Sequence, residues 1–270
     1  LMIKNVLTIA GSDPSGGAGI QADLKAFSAN GVYGMAALTA LTAQNTLGVS
    51  GVEHVPPQFV KAQIETVFAD VRVDAVKIGM IATAQIALAV AEALADHRGI
   101  PIVLDPVMVA KGGAPLLQDD AMEALRDALV PLATVLTPNL PEAARLLHQP
   151  EAENRDAMAI HARALADLGP QVALVKGGHL AGDESPDVLW DGSALHWFEG
   201  MRTDTKNTHG TGCTLSSTIA AQLAKGLTPR AAVAEAKRYV SGAIAASDQQ
   251  TVGHGHGPVN HFYNLWKDRT

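Results

Sequence analysis

The chain has 270 residues, of which 47% are hydrophobic and 17% charged, so it can bury a large core. Acidic residues outnumber basic ones by 27 to 20, and the net charge of −7 argues against general binding to nucleic acid. The single cysteine, Cys213, excludes an intrachain disulfide and a cysteine-rich zinc site.

The N-terminal residues lack the charged and apolar regions of a signal peptide. No apolar run reaches the roughly 18 uninterrupted residues of a membrane span. A lone cysteine also fits a reducing compartment. We therefore expect a cytoplasmic protein with no membrane contact.

Strand-like and helix-like segments alternate along the chain. Short apolar runs predict buried strands at 6–10, 73–78, 102–104, 135–136 and 172–175, and Asp191-Gly192 predicts a hairpin between 188–190 and 195–198. Helical periodicity and capping residues predict helices at 20–29, 83–96, 120–129, 141–147, 156–168, 214–225 and 229–246.

This alternation predicts a mostly parallel sheet with helices on both faces. No linker-like segment or repeat divides the sequence, so a single domain over 1–270 is favoured. Ligands of such sheets bind beyond the carboxyl ends of the strands. Polar or glycine-rich segments follow the predicted strands at Gly11, Gly79-Met80, Asp105, Asn139–Glu142 and Lys176.

The segment Gly210-Thr211-Gly212-Cys213 leads directly into an apolar-periodic helix. Backbone amides at such a helix start can hold the oxygens of a transferring phosphoryl group. The same position is expected to lower the pKa of the Cys213 thiol, which could then accept a proton. A glycine-rich turn followed by a buried structural cysteine remains the alternative.

A second glycine loop, Gly11–Gly19, follows the first predicted strand. It is neither a Walker loop nor a clean dinucleotide fingerprint. Close approach of its backbone to a ligand and a flexible turn are about equally favoured.

Asp105 and Glu142 are acidic residues at two strand ends, where they could hold Mg²⁺. A turn residue and a helix cap are the respective alternatives. Lys176 could neutralise ATP phosphates or be solvated. A solvated face is the simple interpretation of Asp23, and a polar loop that of Gln44, although its amide could bind a heterocycle edge. Met80 and Val107 are more typical of the core.

Together these stretches resemble the hydroxymethylpyrimidine/phosphomethylpyrimidine kinases of the ribokinase superfamily. The resemblance extends in order over almost the whole chain. Its motifs are 10–25, 42–46, 76–80, 104–113, 136–143, 175–179 and 209–214, of which the first and last are the most specific.

The resemblance implies a ribokinase-like three-layer α/β/α sandwich and a homodimer. It implies ATP-dependent phosphorylation of 4-amino-5-hydroxymethyl-2-methylpyrimidine to its monophosphate, then to the diphosphate, in thiamine biosynthesis. Cys213 is then the catalytic base, and Gly210, Thr211, Gly212 and Cys213 form the anion hole.

The resemblance also assigns the remaining site residues. Lys176, Asp105 and Asn139 serve ATP, and Asp105 with Glu142 serve Mg²⁺. The residues that line the pyrimidine pocket are then Gly11, Asp23, Gln44, Met80 and Val107.

Three other functions remain open at this point. A pyridoxal kinase with a cysteine base is the main alternative, since both substrates are hydroxymethyl heterocycles of similar size. Hydroxyethylthiazole kinases also carry this cysteine but lack the Gly11–Gly19 loop. A non-catalytic nucleotide or vitamin-precursor binding protein would bind ATP without turnover.

Overall fold

The computed structural model describes residues 2–266. Its strands are β1 Asn5–Ser12, β2 Tyr33–Asn45, β3 Gly48–His54, β4 Ala75–Ile78, β5 Ile102–Leu104, β6 Val135–Leu136, β7 Val172–Lys176, β8 Asp187–Trp190 and β9 Leu195–Phe198. Its α-helices are α1 Gly19–Ala29, α2 Pro57–Asp70, α3 Ala84–Leu94, α4 Asp119–Ala124, α5 Leu140–Leu147, α6 Arg155–Ala166, α7 Thr211–Ala224 and α8 Pro229–Ala245. A π-helical segment, Leu125–Leu129, continues α4.

The strands form one sheet in the order β3-β2-β1-β4-β5-β6-β7-β8-β9. All pairings from β2 to β7 are parallel, whereas β3, β8 and β9 pair antiparallel at the two edges. This confirms the predicted mostly parallel sheet and the predicted β8–β9 hairpin. The chain passes from β1 to β2 on one side and later to β4 on the other, which creates a switch point where ligands bind in such sheets.

Helices cover both faces of the sheet. Alternate residues of β1 divide between two cores, because successive side chains of a strand point to opposite faces. Leu7 and Ile9 pack with residues of α2 to α6, whereas Val6 packs with residues of α1, α7 and α8. The predicted three-layer α/β/α arrangement is therefore confirmed.

Three elements were not predicted from the sequence: β2, β3 and α2. β2 has four alanines and two threonines among its 13 residues, and this run of small and apolar residues shows neither β-branched enrichment nor the clear alternation that indicates a strand. It is a strand because it pairs along β1 in parallel register. The expectation of a polar loop at Gln44 is consequently wrong, since this residue lies in the last part of β2.

Several helix boundaries follow the predicted signals. The side chains of Thr83 and Thr228 cap α3 and α8. α7 begins at Thr211, earlier than predicted, which places Gly212 and Cys213 in its first turn. Among the described residues, no helix has the length and apolar character needed to cross a bilayer.

Candidate active site

A cavity of about 820 Å³ lies over the carboxyl ends of the parallel strands. Segments from distant parts of the sequence meet there because the strand ends share one edge of the sheet. Every predicted site residue except Asp23 lines this cavity: Gly11, Gln44, Met80, Asp105, Val107, Asn139, Glu142, Lys176, Gly210, Thr211, Gly212 and Cys213.

The glycine-rich turn before α7 is held in one conformation. Gly210 has φ 78°, in the left-handed region that favours glycine, and it caps the helix. Its carbonyl accepts hydrogen bonds from the Thr214 amide at 2.9 Å and from Thr214 Oγ1 at 2.8 Å. The amides of Gly212 and Cys213 lie in the first turn, where backbone N–H groups have no partner within the helix. The turn can therefore present donors to an anion in the cavity.

The environment of Cys213 differs from the one expected at a helix N-terminus. Burial raises the pKa of the Cys213 thiol to about 11. The buried Lys77 and a hydrogen bond from the Gly19 amide act in the opposite direction, and Asp23 and Asp105 raise the pKa further. The expectation of a lowered thiol pKa is therefore wrong, because desolvation outweighs the positive groups nearby.

Asp105, which is buried, and Lys176, which is partly buried, form an ion pair beside Gly212. Lys176 Nζ donates to Asp105 Oδ1 at 3.0 Å, and Ser216 Oγ from α7 lies 3.4 Å from Asp105 Oδ2. Burial would lower the pKa of Lys176, but Asp105 and Glu142 raise it above its ordinary value. The alternative of a freely solvated Lys176 is therefore wrong, and Asp105 holds the cation at the cavity lining.

Glu142 is both a helix cap and a cavity residue. Its Oε2 accepts from the Asn139 amide at 2.8 Å, while Asn139 Oδ1 accepts from the Glu142 amide at 2.9 Å. This capping box confirms the predicted helix cap. Burial raises the pKa of Glu142 to about 7, against the effect of Lys176, and Asp105 raises it further.

The donor set near Asp105 and Glu142 fits a magnesium ion. Two buried carboxyl groups face the same cavity, and the charge of Asp105 raises the pKa of Glu142. A divalent cation would relieve this repulsion, and Mg²⁺ is commonly held by one or two carboxylates together with water and phosphate oxygens.

Gly11, Gln44, Met80 and Val107 line the part of the cavity at the ends of β1, β2, β4 and β5. A Cβ atom at Gly11 would lie 2.8 Å from Met80 Sδ, so no side chain fits there without displacing Met80. Sulfur, amide and small apolar groups at this end suit a flat, partly polar heterocycle.

Asp23 does not line the cavity, contrary to expectation. It is fully buried and accepts from Lys77 Nζ at 2.9 Å, from Thr8 Oγ1 at 2.7 Å and from Ser217 Oγ at 2.6 Å. The prediction of a solvated face for this residue is wrong as well. Asp23 instead anchors the buried Lys77, which lines the cavity.

Sequence reasoning missed Lys77, Asp13 and His209. Lys77 is fully buried within β4, and a lysine inside an apolar strand was the signal that could have identified it. His209 Nε2 lies 2.8 Å from Asp13 Oδ2, and both residues are buried. No local pattern indicates that contact, because 196 positions separate the two residues.

Comparison with known proteins identifies the family of this chain. The family model for phosphomethylpyrimidine kinase matches residues 13–260. A hydroxymethylpyrimidine/phosphomethylpyrimidine kinase of Salmonella typhimurium is 52% identical over 97% of this chain and 98% of its own length.

Two solved structures are similar to the whole fold. A phosphomethylpyrimidine kinase from Clostridium difficile has a TM-score of 0.80 at 44% identity, covering 89% of this chain and 99% of that one. A pyridoxal kinase from Staphylococcus aureus, in complex with AMP-PCP and pyridoxal, has a TM-score of 0.90 at 36% identity, covering 98% and 96%. On its match to the family model and this level of identity, the chain belongs to the phosphomethylpyrimidine kinase family.

Proposed function

We propose that the protein phosphorylates 4-amino-5-hydroxymethyl-2-methylpyrimidine with ATP, and then phosphorylates the monophosphate to the diphosphate, in thiamine biosynthesis. One observation carries this proposal. The Gly210–Cys213 turn faces the same cavity as the Lys176–Asp105 pair and the heterocycle end formed by Gly11, Gln44 and Met80. A phosphoryl donor and a small aromatic acceptor can therefore meet within one site.

In the first step the hydroxymethyl oxygen attacks the γ-phosphorus, the bond from that phosphorus to the β-bridging oxygen breaks, and ADP leaves. The Gly212 and Cys213 amides stabilise the negative charge on the transferring group. The alcohol proton passes to the thiolate form of Cys213, which is the minor form at neutral pH because burial raises the pKa of the thiol.

Lys176 neutralises phosphate oxygens of ATP, and its fixed position beside Asp105 removes the need to order it during the reaction. Asp105 and Glu142 would hold the Mg²⁺ that accompanies the nucleotide, with Asn139 nearby. Bound there, the ion would neutralise negative charge on the nucleotide phosphates.

The second step uses a phosphate as the nucleophile in the same cavity. This group is largely ionised at neutral pH, since its second pKa is about 6. It therefore needs a base less than the alcohol does. The anion hole and Lys176 contribute to both steps.

We further propose that the chain acts as one cytoplasmic domain over 1–270 and assembles as a homodimer. The single continuous sheet supports the one-domain arrangement. The β2–β3 hairpin, at one edge of the sheet, exposes Leu41, Leu47 and Val52, which supports an interface there.

The experiment that tests the proposed function is a comparison of kcat/KM for hydroxymethylpyrimidine and pyridoxal with ATP and Mg²⁺. A higher value for the pyrimidine is expected. Pyridoxal is the second candidate substrate, because a pyridoxal complex is among the similar structures. A higher value for pyridoxal would assign the chain to vitamin B6 chemistry, and ATP binding without any product would indicate a binding protein.

A further inference from the structure

The two glycine loops of the site touch backbone to backbone. A Cβ atom at Gly210 would lie 1.8 Å from the Gly17 carbonyl oxygen, and one at Gly17 would lie 2.4 Å from His209 Cδ2. Neither position can therefore carry a side chain while the loops stay in contact. The loop after β1 and the turn before α7 are packed as one unit.

Asp13 lies at the centre of this contact. Its Oδ1 accepts from the Ser15 amide at 2.9 Å and from Ser15 Oγ at 2.7 Å. Its Oδ2 accepts from the Ala18 amide at 2.9 Å and from His209 Nε2 at 2.8 Å. Asp13 is 2% exposed and His209 6%, so the pair is shielded from solvent. One carboxylate thus shapes the first loop and ties it to the second.

The main chain of His209 is fixed from another direction. Its amide donates to the Gly257 carbonyl at 3.0 Å, and its carbonyl accepts from the Val259 amide at 3.4 Å. His209 therefore joins three segments: the loop after β1, the turn before α7 and the segment after α8. Gly210, which begins the anion hole, follows it directly.

We propose that the buried Asp13–His209 pair is a positioning device that holds the Gly210–Cys213 anion hole in register with the N-terminal glycine loop. This inference rests on the proposed function. The N-terminal loop begins at Gly11, on the heterocycle side of the cavity, and the anion hole receives the transferring phosphoryl group. The pair thereby sets the distance between the acceptor hydroxyl and the phosphorus.

Loss of the Asp13–His209 contact is expected to slow the chemical step of phosphoryl transfer. Displacing reacting groups by about 1 Å can cost on the order of 100-fold in rate. Lys176 and Asp105 contact neither Asp13 nor His209 among the hydrogen bonds of the described residues, so binding of ATP is expected to change little.

The test compares His209→Leu with His209→Gln, because the glutamine amide can place an N–H near the position of Nε2. We expect kcat of both phosphorylations to fall on the order of 100-fold in His209→Leu, with KM for ATP within about threefold of wild type. His209→Gln should recover most of the loss. His161→Leu is the matched control, since His161 is also buried but lies on α6 outside the cavity lining; it should keep the wild-type kcat.

A wild-type kcat in His209→Leu would overturn the proposal, and so would equal losses in the leucine and glutamine variants. If His209→Leu does not fold, Asp13→Asn takes its place, and an unchanged kcat in that variant would overturn the proposal. In the Asp13→Asn/His209→Leu double variant, kcat should fall no further than in the single variant with the lower kcat. Both changes break the same contact between Asp13 and His209. An inactive wild-type protein would instead contradict the proposed function.

Discussion

Burial and nearby positive groups have opposite effects on the pKa of the Cys213 thiol. Desolvation raises the pKa of its thiol to about 11, while Lys77 and the Gly19 amide favour the thiolate. At neutral pH the thiol is therefore the major form. While the pH stays below the pKa, the thiolate fraction increases about tenfold for each unit by which the pH is raised. If Cys213 is the base for the hydroxyl group, this fraction limits the first phosphorylation.

We therefore predict that kcat of the first phosphorylation rises with pH from 7 towards 10 in the wild-type protein. The second phosphorylation should depend on pH much less, because its nucleophile is already ionised. In Cys213→Ala the first step should slow by about 100- to 10,000-fold, the range typical of general base catalysis, and lose its pH dependence. Initial rates of each step against pH provide the measurement, and an unchanged first step in Cys213→Ala would refute the base assignment.

His261 gives a separate prediction for stability. Burial lowers its pKa to about 3, with a contribution from Lys25, and His261 Nε2 lies 2.9 Å from Thr214 Oγ1. Below pH 6.5 the unfolded chain binds a proton at His261 that the folded chain does not, so stability falls as the pH decreases towards 3.

When the pH is lowered from 7 to 5, the free energy of unfolding should decrease in the wild type. This decrease should be about 2 kcal/mol larger than the decrease in His261→Gln. Urea unfolding of both proteins at the two pH values measures this difference. Equal losses in the two proteins would show that His261 does not titrate as the buried environment implies.

At the scale of secondary structure, the Lys77–Asp23 pair joins three elements. Lys77 lies in β4 and Asp23 in α1, and Ser217 of α7 donates to Asp23 one helical turn after Cys213. Burial opposes the charge of Lys77, but Asp23, Cys213 and Asp105 raise its pKa. The position of Cys213 thus depends on a buried ion pair that links its helix to the sheet.

Asp23→Ala is predicted to lower the free energy of unfolding by about 3–5 kcal/mol, because it leaves Lys77 buried without its partner. The double variant Lys77→Met/Asp23→Leu should lose much less than the sum of the single changes. Lys61→Ala is the control: it breaks an exposed pair with Glu92 and should cost far less than Asp23→Ala. Chemical denaturation of the wild type and of these variants, with Lys77→Met and Asp23→Leu also measured alone, provides the test. A cost for Asp23→Ala as small as that of the control would contradict this role.

Elements with strong local signals were predictable. The short α5 has a Pro141 start and an Asn139–Glu142 capping box, and β5 is an apolar run that ends before Asp105. β2 was not predictable, because its small residues become a strand only by pairing with β1. Both glycine loops were recognisable in the sequence. The contacts of Asp13 with His209, and of Asp23 with Lys77, depend on tertiary packing that no local spacing encodes.

At the scale of the whole molecule, the edge formed by β3 determines the predicted assembly. Leu47 is 73% exposed at the tip of the β2–β3 hairpin, and Val52 lies within the edge strand. Burial of such apolar side chains and pairing of an open edge both favour association with a second copy.

By light scattering, the molar mass of the wild type in solution should be twice that of one chain. In the Leu47→Asp/Val52→Asp variant the molar mass should shift towards that of a single chain. Leu88→Asp is the control, since Leu88 is also exposed but lies on α3, away from the hairpin; it should remain a dimer. A monomeric wild type would rule out the homodimer, and an unchanged mass in the hairpin variant would place the interface elsewhere.

The central claim is that one cavity performs two successive phosphoryl transfers. The most direct measurement is a mass-spectrometric time course of the wild-type protein with ATP, Mg²⁺ and hydroxymethylpyrimidine. We predict that the monophosphate accumulates first and then declines as the diphosphate forms, with one ATP consumed at each step. Formation of the monophosphate alone, or no pyrimidine product under conditions that phosphorylate pyridoxal, would contradict the account.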